Sequence, residues 1–208
     1  MAAPLWTDKV SIISVQKIAN GGIARGTFTL TNYFGGYVFA RIGRLSTTAP
    51  AVGISILVRR ILYDSSNTRD IPHPGALATF QDTLVAANLT TLSGTPSFPT
   101  AVCAVTSATG MTGGNVCCIV DSATTPTRAE WCRISKNVTT TVTMDRNFAN
   151  TAIVSGDTIT NLALVLLPIW LDGGPNAGDV EVILDYGLES ATSPVVAEVW
   201  GQALVSVG

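Results

Sequence analysis

Hydrophobic and polar residues alternate with a period of two along much of the chain, the spacing that puts successive side chains on opposite faces of a β-strand. Residues 9–18, KVSIISVQKI, are the first such run and end at the turn signal Asn20-Gly21-Gly22. In residues 23–33, Phe28 and Leu30 alternate with Thr27, Thr29 and Thr31; Gly35-Gly36 then opens the run 37–44. A Ser/Thr/Pro loop leads to residues 52–62, VGISILVRRIL. Four strands with glycine-rich turns at roughly ten-residue spacing predict a sandwich or a barrel. Near the C-terminus Val180, Val182 and Leu184 alternate with Glu181 and Asp185, and Val195, Ala197 and Val199 surround Glu198. Neither terminal block has enough strands to close a core alone. The C-terminal strands are therefore expected to return to the N-terminal sheet, as Greek-key connections do.

The middle of the chain reads as a second, smaller unit. Residues 128–146, RAEWCRISKNVTTTVTMDR, predict two strands turning around Lys136-Asn137. The second strand would put Val138, Val142 and Met144 on one face and Thr139, Thr141, Thr143 and Asp145 on the other. In the first, Cys132 and Ile134 would face a core while Ala129, Trp131 and Arg133 point away. Further short strands over 101–105, 116–121 and 158–166 suit a small barrel, whereas residues 76–92 read as a helix or as extended covering segments. The expected fold is all-β. A jelly-roll-like β-sandwich is built from residues 1–75 and 167–208, a connecting segment spans 76–100, and a small β-barrel-like module is inserted over 101–166.

Composition adds a hint of assembly. Hydrophobic residues make up 47% of the 208, but charged residues only 12%, about half of the roughly 25% usual in soluble domains. A surface so short of charge invites association, which points to burial against neighbours; the competing reading is a secreted β-protein with a Thr, Ser, Asn and Gly surface. Twelve Lys and Arg against fourteen Asp and Glu leave a net charge of −2, without the basic footprint that nucleic-acid binding needs. The longest apolar run, residues 162–171, is too short to span a membrane as a helix and contains Pro168. It fits a strand interrupted at the proline. Residues 1–9 lack the basic and apolar regions of an export signal, so synthesis and assembly in a cytoplasm are expected.

Candidate chemistry is thin. Cys103, Cys117, Cys118 and Cys132 form no C-x-x-C pair, and His73 is the single histidine, so zinc has little support. The neighbours Cys117 and Cys118 must face opposite ways, so at most one joins a given core; reduced, packed thiols are expected, with an inter-strand disulfide as the alternative. His73 lies between two prolines without an orienting carboxylate nearby and reads as a loop residue. Asp121, Glu130, Asp145, Asp157, Asp179, Glu181 and Asp185 are scattered one per strand or turn, and residues 110–114 lack the lysine of a phosphate loop. No catalytic, cofactor or metal site is expected, and no enzymatic activity. Asn88 and Asn137 begin glycosylation sequons but, without an export signal, are expected to be ordinary strand and turn residues. Trp6, Trp131, Trp170 and Trp200 suit core or interface packing, or stacking on sugars. Pro4, Leu5 and Trp6, as an extended arm rather than a frayed end, and Trp131 are the residues expected to touch a partner.

Residues 118–122 (CIVDS), 129–136 (AEWCRISK) and 141–148 (TVTMDRNF) resemble a module of structural proteins in tailed bacteriophage virions. In it, a strand ending in Asp precedes an aromatic-centred strand, a turn and a T-x-T-x-D-R strand. Residues 35–44 (GGYVFARIGR) and 182–187 (VILDYG) are similar to other segments of such proteins. The resemblance implies a virion component of capsid decoration (cement) type. Its partners would be the major capsid protein and further copies of itself, as a homotrimer or homodimer. A tail, neck or fibre accessory protein with a carbohydrate-binding role is the alternative.

Overall fold

The computed structural model describes residues 3–45, 47, 53–63, 70–72, 78–82, 87–123, 126, 128–161, 163–174, 178–187 and 194–206. Among them the regular structure is all β, without a helix. The chain opens with β1 (Leu5–Trp6), β2 (Val10–Ile18), β3 (Ile23–Thr29), β4 (Gly35–Arg44), β5 (Ile54–Tyr63), β6 (Asp70–Pro72) and β7 (Ala78–Asp82). Six shorter strands follow: β8 (Leu89–Thr91), β9 (Val102–Ala104), β10 (Val116–Val120), β11 (Ala129–Val138), β12 (Thr141–Met144) and β13 (Thr158–Thr160). It closes with β14 (Ala163–Asp172), β15 (Asp179–Tyr186) and β16 (Val195–Ser206).

The long strands form two five-stranded antiparallel sheets. In the first, β16 lies between β4 and the pair β1 and β2, and β14 pairs with the far side of β4. In the second, β15 lies between β3 and β5, and β5 also pairs with β6 and β7. The C-terminal strands thus return to complete both N-terminal sheets, as the sequence predicts. Alternation explains the packing between the sheets. Val38, Ala40 and Ile42 of β4 and Val195, Ala197 and Val199 of β16 meet Ile54, Ile56 and Val58 of β5 and Val180, Val182 and Leu184 of β15. Each fully buried Val, Ile or Leu contributes about 1.5–3 kcal/mol relative to exposure.

The short strands form a six-stranded sheet in the order β8-β13-β10-β11-β12-β9. Its two ends meet: Leu92 bridges Val105, Ser93 N donates to Ala104 O at 3.0 Å, and Thr106 N donates to Thr91 O at 2.9 Å. Closure removes the free edges of strands too short to protect themselves. The inserted β-barrel-like module expected from the sequence is therefore present, filled by Cys103, Met111, Cys117, Ile119, Ile134, Val142, Met144 and Ile159.

One local expectation is narrowed and two are corrected. Among the described residues of 76–92 the extended reading holds and the helical one does not, because β7 pairs with β5 and β8 with β13. The hairpin turns at Thr139-Thr140 rather than Lys136-Asn137, with Val138 opposite Thr141 and Thr139 at a φ of 37°. A bulge between Ile134 and Lys136 inserts one residue and flips the parity beyond it. Val138 is consequently exposed, while Val142 and Met144 are buried as expected. The single strand expected over 158–166 is split between β13 of the barrel and β14 of the sandwich. The pairing of β14 does slip between Leu166 and Ile169, around Pro168.

Barrel and sandwich meet along a third, small core of Cys118, Val120, Trp131 and Val196. Gly43 makes the approach possible, since a Cβ there would lie 2.7 Å from Val196 Cγ1 and 3.2 Å from Cys118 Cβ. Asn88 and Asn161 clamp the neck: Asn88 N donates to Asn161 Oδ1 at 2.8 Å, and Asn161 Nδ2 donates to Gly110 O at 2.7 Å.

Candidate interaction surface

The outer face of the first sheet is built by the same alternation that fills the core. Between the buried Val38, Ala40 and Ile42 of β4, the residues Tyr37, Phe39 and Arg41 must point outward. Register then adds neighbours from distant parts of the chain, Trp200 and Gln202 of β16 opposite Phe39 and Tyr37, and Trp170 of β14 opposite Tyr37 on the other side. The result is a row of aromatic rings. Trp170 meets Tyr37 edge-on at 4.9 Å, Trp6 stacks on Tyr37 at 5.4 Å, and Phe39 stacks on Trp200 at 5.3 Å with an 8° interplanar angle. Tyr37 and Phe39, 6.0 Å apart, join the two ends. Trp6 and Trp170 remain 37% and 42% exposed, so the row is a surface and not a core.

Among the described residues, the charges that touch the row lie at its two ends. Lys9 pairs with Glu198, and Lys9 Nζ and Arg41 Cζ each lie 4.7 Å from the Trp200 ring. At the opposite end Trp170 Nε1 donates to Asp172 Oδ1 at 3.0 Å.

The segment holding Pro4, Leu5 and Trp6 is neither a free arm nor a frayed end. It is docked on its own sheet: Leu5 pairs with Ser206, Trp6 with Leu204, and Thr7 N donates to Ala203 O at 2.9 Å. Pro4 and Leu5 are exposed beside the aromatic row, and Trp6 is part of it. Trp131 lies elsewhere. It is nine-tenths buried at the barrel–sandwich junction, and its indole Nε1 is buried without an acceptor among the described residues. Trp131 also lines a cleft of about 190 Å³ shared with Arg41 and Trp200 of the sheet and Arg133, Asp145 and Arg146 of the barrel. Sequence reasoning singled out the tryptophans but missed Tyr37, Phe39 and Arg41; their shared parity in residues 37–42 was the available signal.

The acidic residues of the barrel act as structural clamps. The Asp121 carboxylate accepts the N–H groups of Ala123 and Arg128, both at 3.0 Å, closing a loop. Glu130 accepts Arg146 at 2.5 Å and Asn150 N at 3.1 Å, and Asp157 accepts Arg128 at 2.8 Å and Val154 N at 3.1 Å. All four cysteines are free and buried, Cys117 in the barrel core and Cys118 in the junction core, as their adjacency requires. Burial pushes the Cys103 thiol up to about 11 and Cys117 up to about 12, so neither supplies a thiolate at neutral pH. No group of three or more His, Cys, Asp or Glu side chains suited to a metal occurs among the described residues. His73 lies outside those residues. Asn88 and Asn137, the sequon asparagines, spend their amides on internal bonds to Gly110 O and Ala108 O.

No protein-family model matches the chain, and no curated protein does. Among solved structures it is similar to the VP2 subviral particle of infectious bursal disease virus, at 10% identity and a TM-score of 0.23. That match covers 97% of this chain and 42% of the other, so the chain spans less than half the length of that protein. T=1 particles derived from the same virus match at 12% identity and a TM-score of 0.21, over 99% and 79% of the two chains. A protein of Sulfurospirillum deleyianum matches at 6% identity and a TM-score of 0.16, over 98% of each. Likeness this faint transfers neither fold nor function from those proteins to this chain.

Proposed function

We propose that the protein is a non-enzymatic virion component, a capsid cement protein that bridges major capsid subunits as a homotrimer or homodimer and is assembled in the host cytoplasm. The observation that carries this reading is the aromatic row of Trp170, Trp6, Tyr37, Phe39 and Trp200 on one sheet, exposed at its Trp6 and Trp170 end. Trp and Tyr dominate binding energy where they are desolvated, and interface centres are depleted of charge. A contiguous exposed apolar patch on an otherwise folded domain marks a site of association. Stiff rings on paired strands also lose little conformational entropy when covered. A ligand surface that exists only on the assembled shell would then stabilise that shell by mass action. The sequence resemblance to phage virion proteins points the same way.

The test is co-sedimentation with purified heads lacking the protein. Wild type is expected to saturate a fixed number of sites, and the Trp6→Ala/Trp170→Ala variant to bind at least about tenfold more weakly, the scale set by one or two hot-spot residues. Heads that ignore the wild-type protein overturn the proposal. One observation favours a second reading as a carbohydrate-binding tail or fibre protein: Trp170 is 42% exposed and oriented by Asp172, a geometry that suits sugar stacking. That reading requires quenching of tryptophan fluorescence by host-surface oligosaccharides.

A further inference from the structure

We infer that the cleft between sandwich and barrel receives a carboxylate-bearing segment of a protein partner; this rests on the proposed head-binding role and specifies the chemistry of its partner. The cleft has more donors than acceptors. Trp131 forms part of its wall, and its indole N–H is buried without an acceptor among the described residues. Such a group costs about 1–3 kcal/mol unless something satisfies it. Arg41 is held against the Trp200 ring, and neither its guanidinium nor that of Arg133 has a carboxylate partner among the described residues.

The other charges in the cleft are one cation, already paired, and one carboxylate. Arg146 is neutralised by Glu130 and donates to Trp131 O at 2.8 Å, and the Asp145 carboxylate accepts Arg133 N at 3.2 Å. What remains open is two planar guanidinium forks beside a hollow of about 190 Å³, with the buried, unsatisfied Trp131 indole in its wall. Carboxylate oxygens are the matching group, since they accept bidentate arginine bonds and carry the opposite charge. A nucleic-acid phosphate is disfavoured by the net charge of −2 over the whole chain. A protein segment is favoured over a free acid because Trp200 belongs both to the cleft and to the aromatic row. One ligand can therefore insert an acidic side chain while its apolar neighbours cover Phe39 and Tyr37.

The decisive measurement follows the four tryptophan indole N–H resonances of the ¹⁵N-labelled full chain during titration with capped tetraglutamate. The Trp131 signal, assigned by its loss in Trp131→Phe, is expected to shift. Capped tetraglutamine should leave it in place. The Arg41→Gln/Arg133→Gln variant changes two side chains outside the cores, and its remaining indole pattern verifies the fold. It should bind tetraglutamate at least tenfold more weakly. An unmoved Trp131 signal, an equal response to tetraglutamine, or a stronger response to tetragalacturonate overturns the inference, the last by assigning the cleft to acidic sugars. Head co-sedimentation separates the two proposals. Wild type and the double arginine variant binding heads equally sinks the acidic-segment inference alone, whereas heads that bind neither sink the cement reading while the peptide titration still decides the cleft.

Discussion

The sandwich and the barrel solve the same problem, covering a β-sheet, by opposite means. The sandwich uses strands of seven to twelve residues in its central ladders, and its core is mostly aliphatic, with Phe28 and Tyr186 among the Val, Ile and Leu. The barrel strands β8, β9 and β13 have three residues each, and its core mixes Cys103, Cys117 and Cys132 with Met111 and Met144. Short strands leave more of the chain in loops, and the barrel fastens those loops with the buried carboxylates of Asp121, Glu130 and Asp157. Long ladders can place their outward residues in a continuous row; short ones cannot. That is why the extended aromatic face lies on the sandwich, and why the barrel meets it at a cleft lined with charge.

The comparison breaks most visibly where the sandwich depends on backbone closeness. At Gly26 an added Cβ would lie 1.9 Å from Ile12 O, where β3 of one sheet crosses β2 of the other. Gly26→Val must push the sheets apart, and a loss of about 3 kcal/mol or more in urea unfolding is expected, the upper end for overpacking. An unchanged denaturation midpoint would mean that the sheets do not need this contact. In the barrel the equivalent dependence is on polar clamps. Asp121→Ala strands two backbone N–H groups, an expected loss of about 1–3 kcal/mol. Hydrogen exchange should locate the loosening at residues 121–129 and leave β4 and β16 protected. Loosening spread evenly over both units would show that they are one cooperative body.

The same contrast decides what could be read from the sequence. The sandwich was legible because its strands are long and each buries one face, so Val180, Val182 and Leu184 declare themselves by parity. The opposed burial of Cys117 and Cys118 was legible for the same reason. Strands β7 and β8 were not, because five and three residues carry too little periodicity to outweigh the helical reading. The hairpin turn was misplaced because a bulge at Ser135 has no sequence signature. Trp131 points away from the barrel core, as its parity requires, but away from the barrel means into the junction with Val196. The aromatic row was invisible as a row. Trp6, Tyr37, Trp170 and Trp200 come from four strands spread over the chain, and only the registers of β4 with β14 and β16 and of β1 with β16 bring them together.

Alkaline pH sharpens the comparison, because all four cysteines belong to barrel strands and the sandwich has none. Burial raises Cys103 to about 11 and Cys117 to about 12, and lifts Cys118 and Cys132 above the ordinary 9.0 as well. Below pH 9 the thiols are protonated in both the folded and unfolded chain and contribute no pH dependence. Above it the unfolded chain releases protons that the fold retains, so stability falls as pH rises towards the folded values. Each thiol adds at most about 1.4 kcal/mol per pH unit to that fall. Urea midpoints at pH 8 and pH 10 should therefore differ, and Cys103→Ala/Cys117→Ala should flatten the dependence while lowering stability at pH 8. A slope that both substitutions leave intact would move the cause away from Cys103 and Cys117.

The smallest effects on stability test the largest claim about surfaces. Trp170 is already 42% exposed, so Trp170→Ser forfeits mainly its ring contact with Tyr37, about 0.5–1.5 kcal/mol. Val138, 53% exposed at the tip of the barrel hairpin, is the matched control; Val138→Thr should change stability by less than about 0.5 kcal/mol. The two variants then differ little in the test tube and should differ sharply on heads. Trp170→Ser removes a ring from the row and is expected to weaken binding, while Val138→Thr changes a residue on a different sheet. If binding instead follows Val138 and ignores Trp170, recognition belongs to the barrel tip, and the aromatic face is left without the partner that its exposure implies.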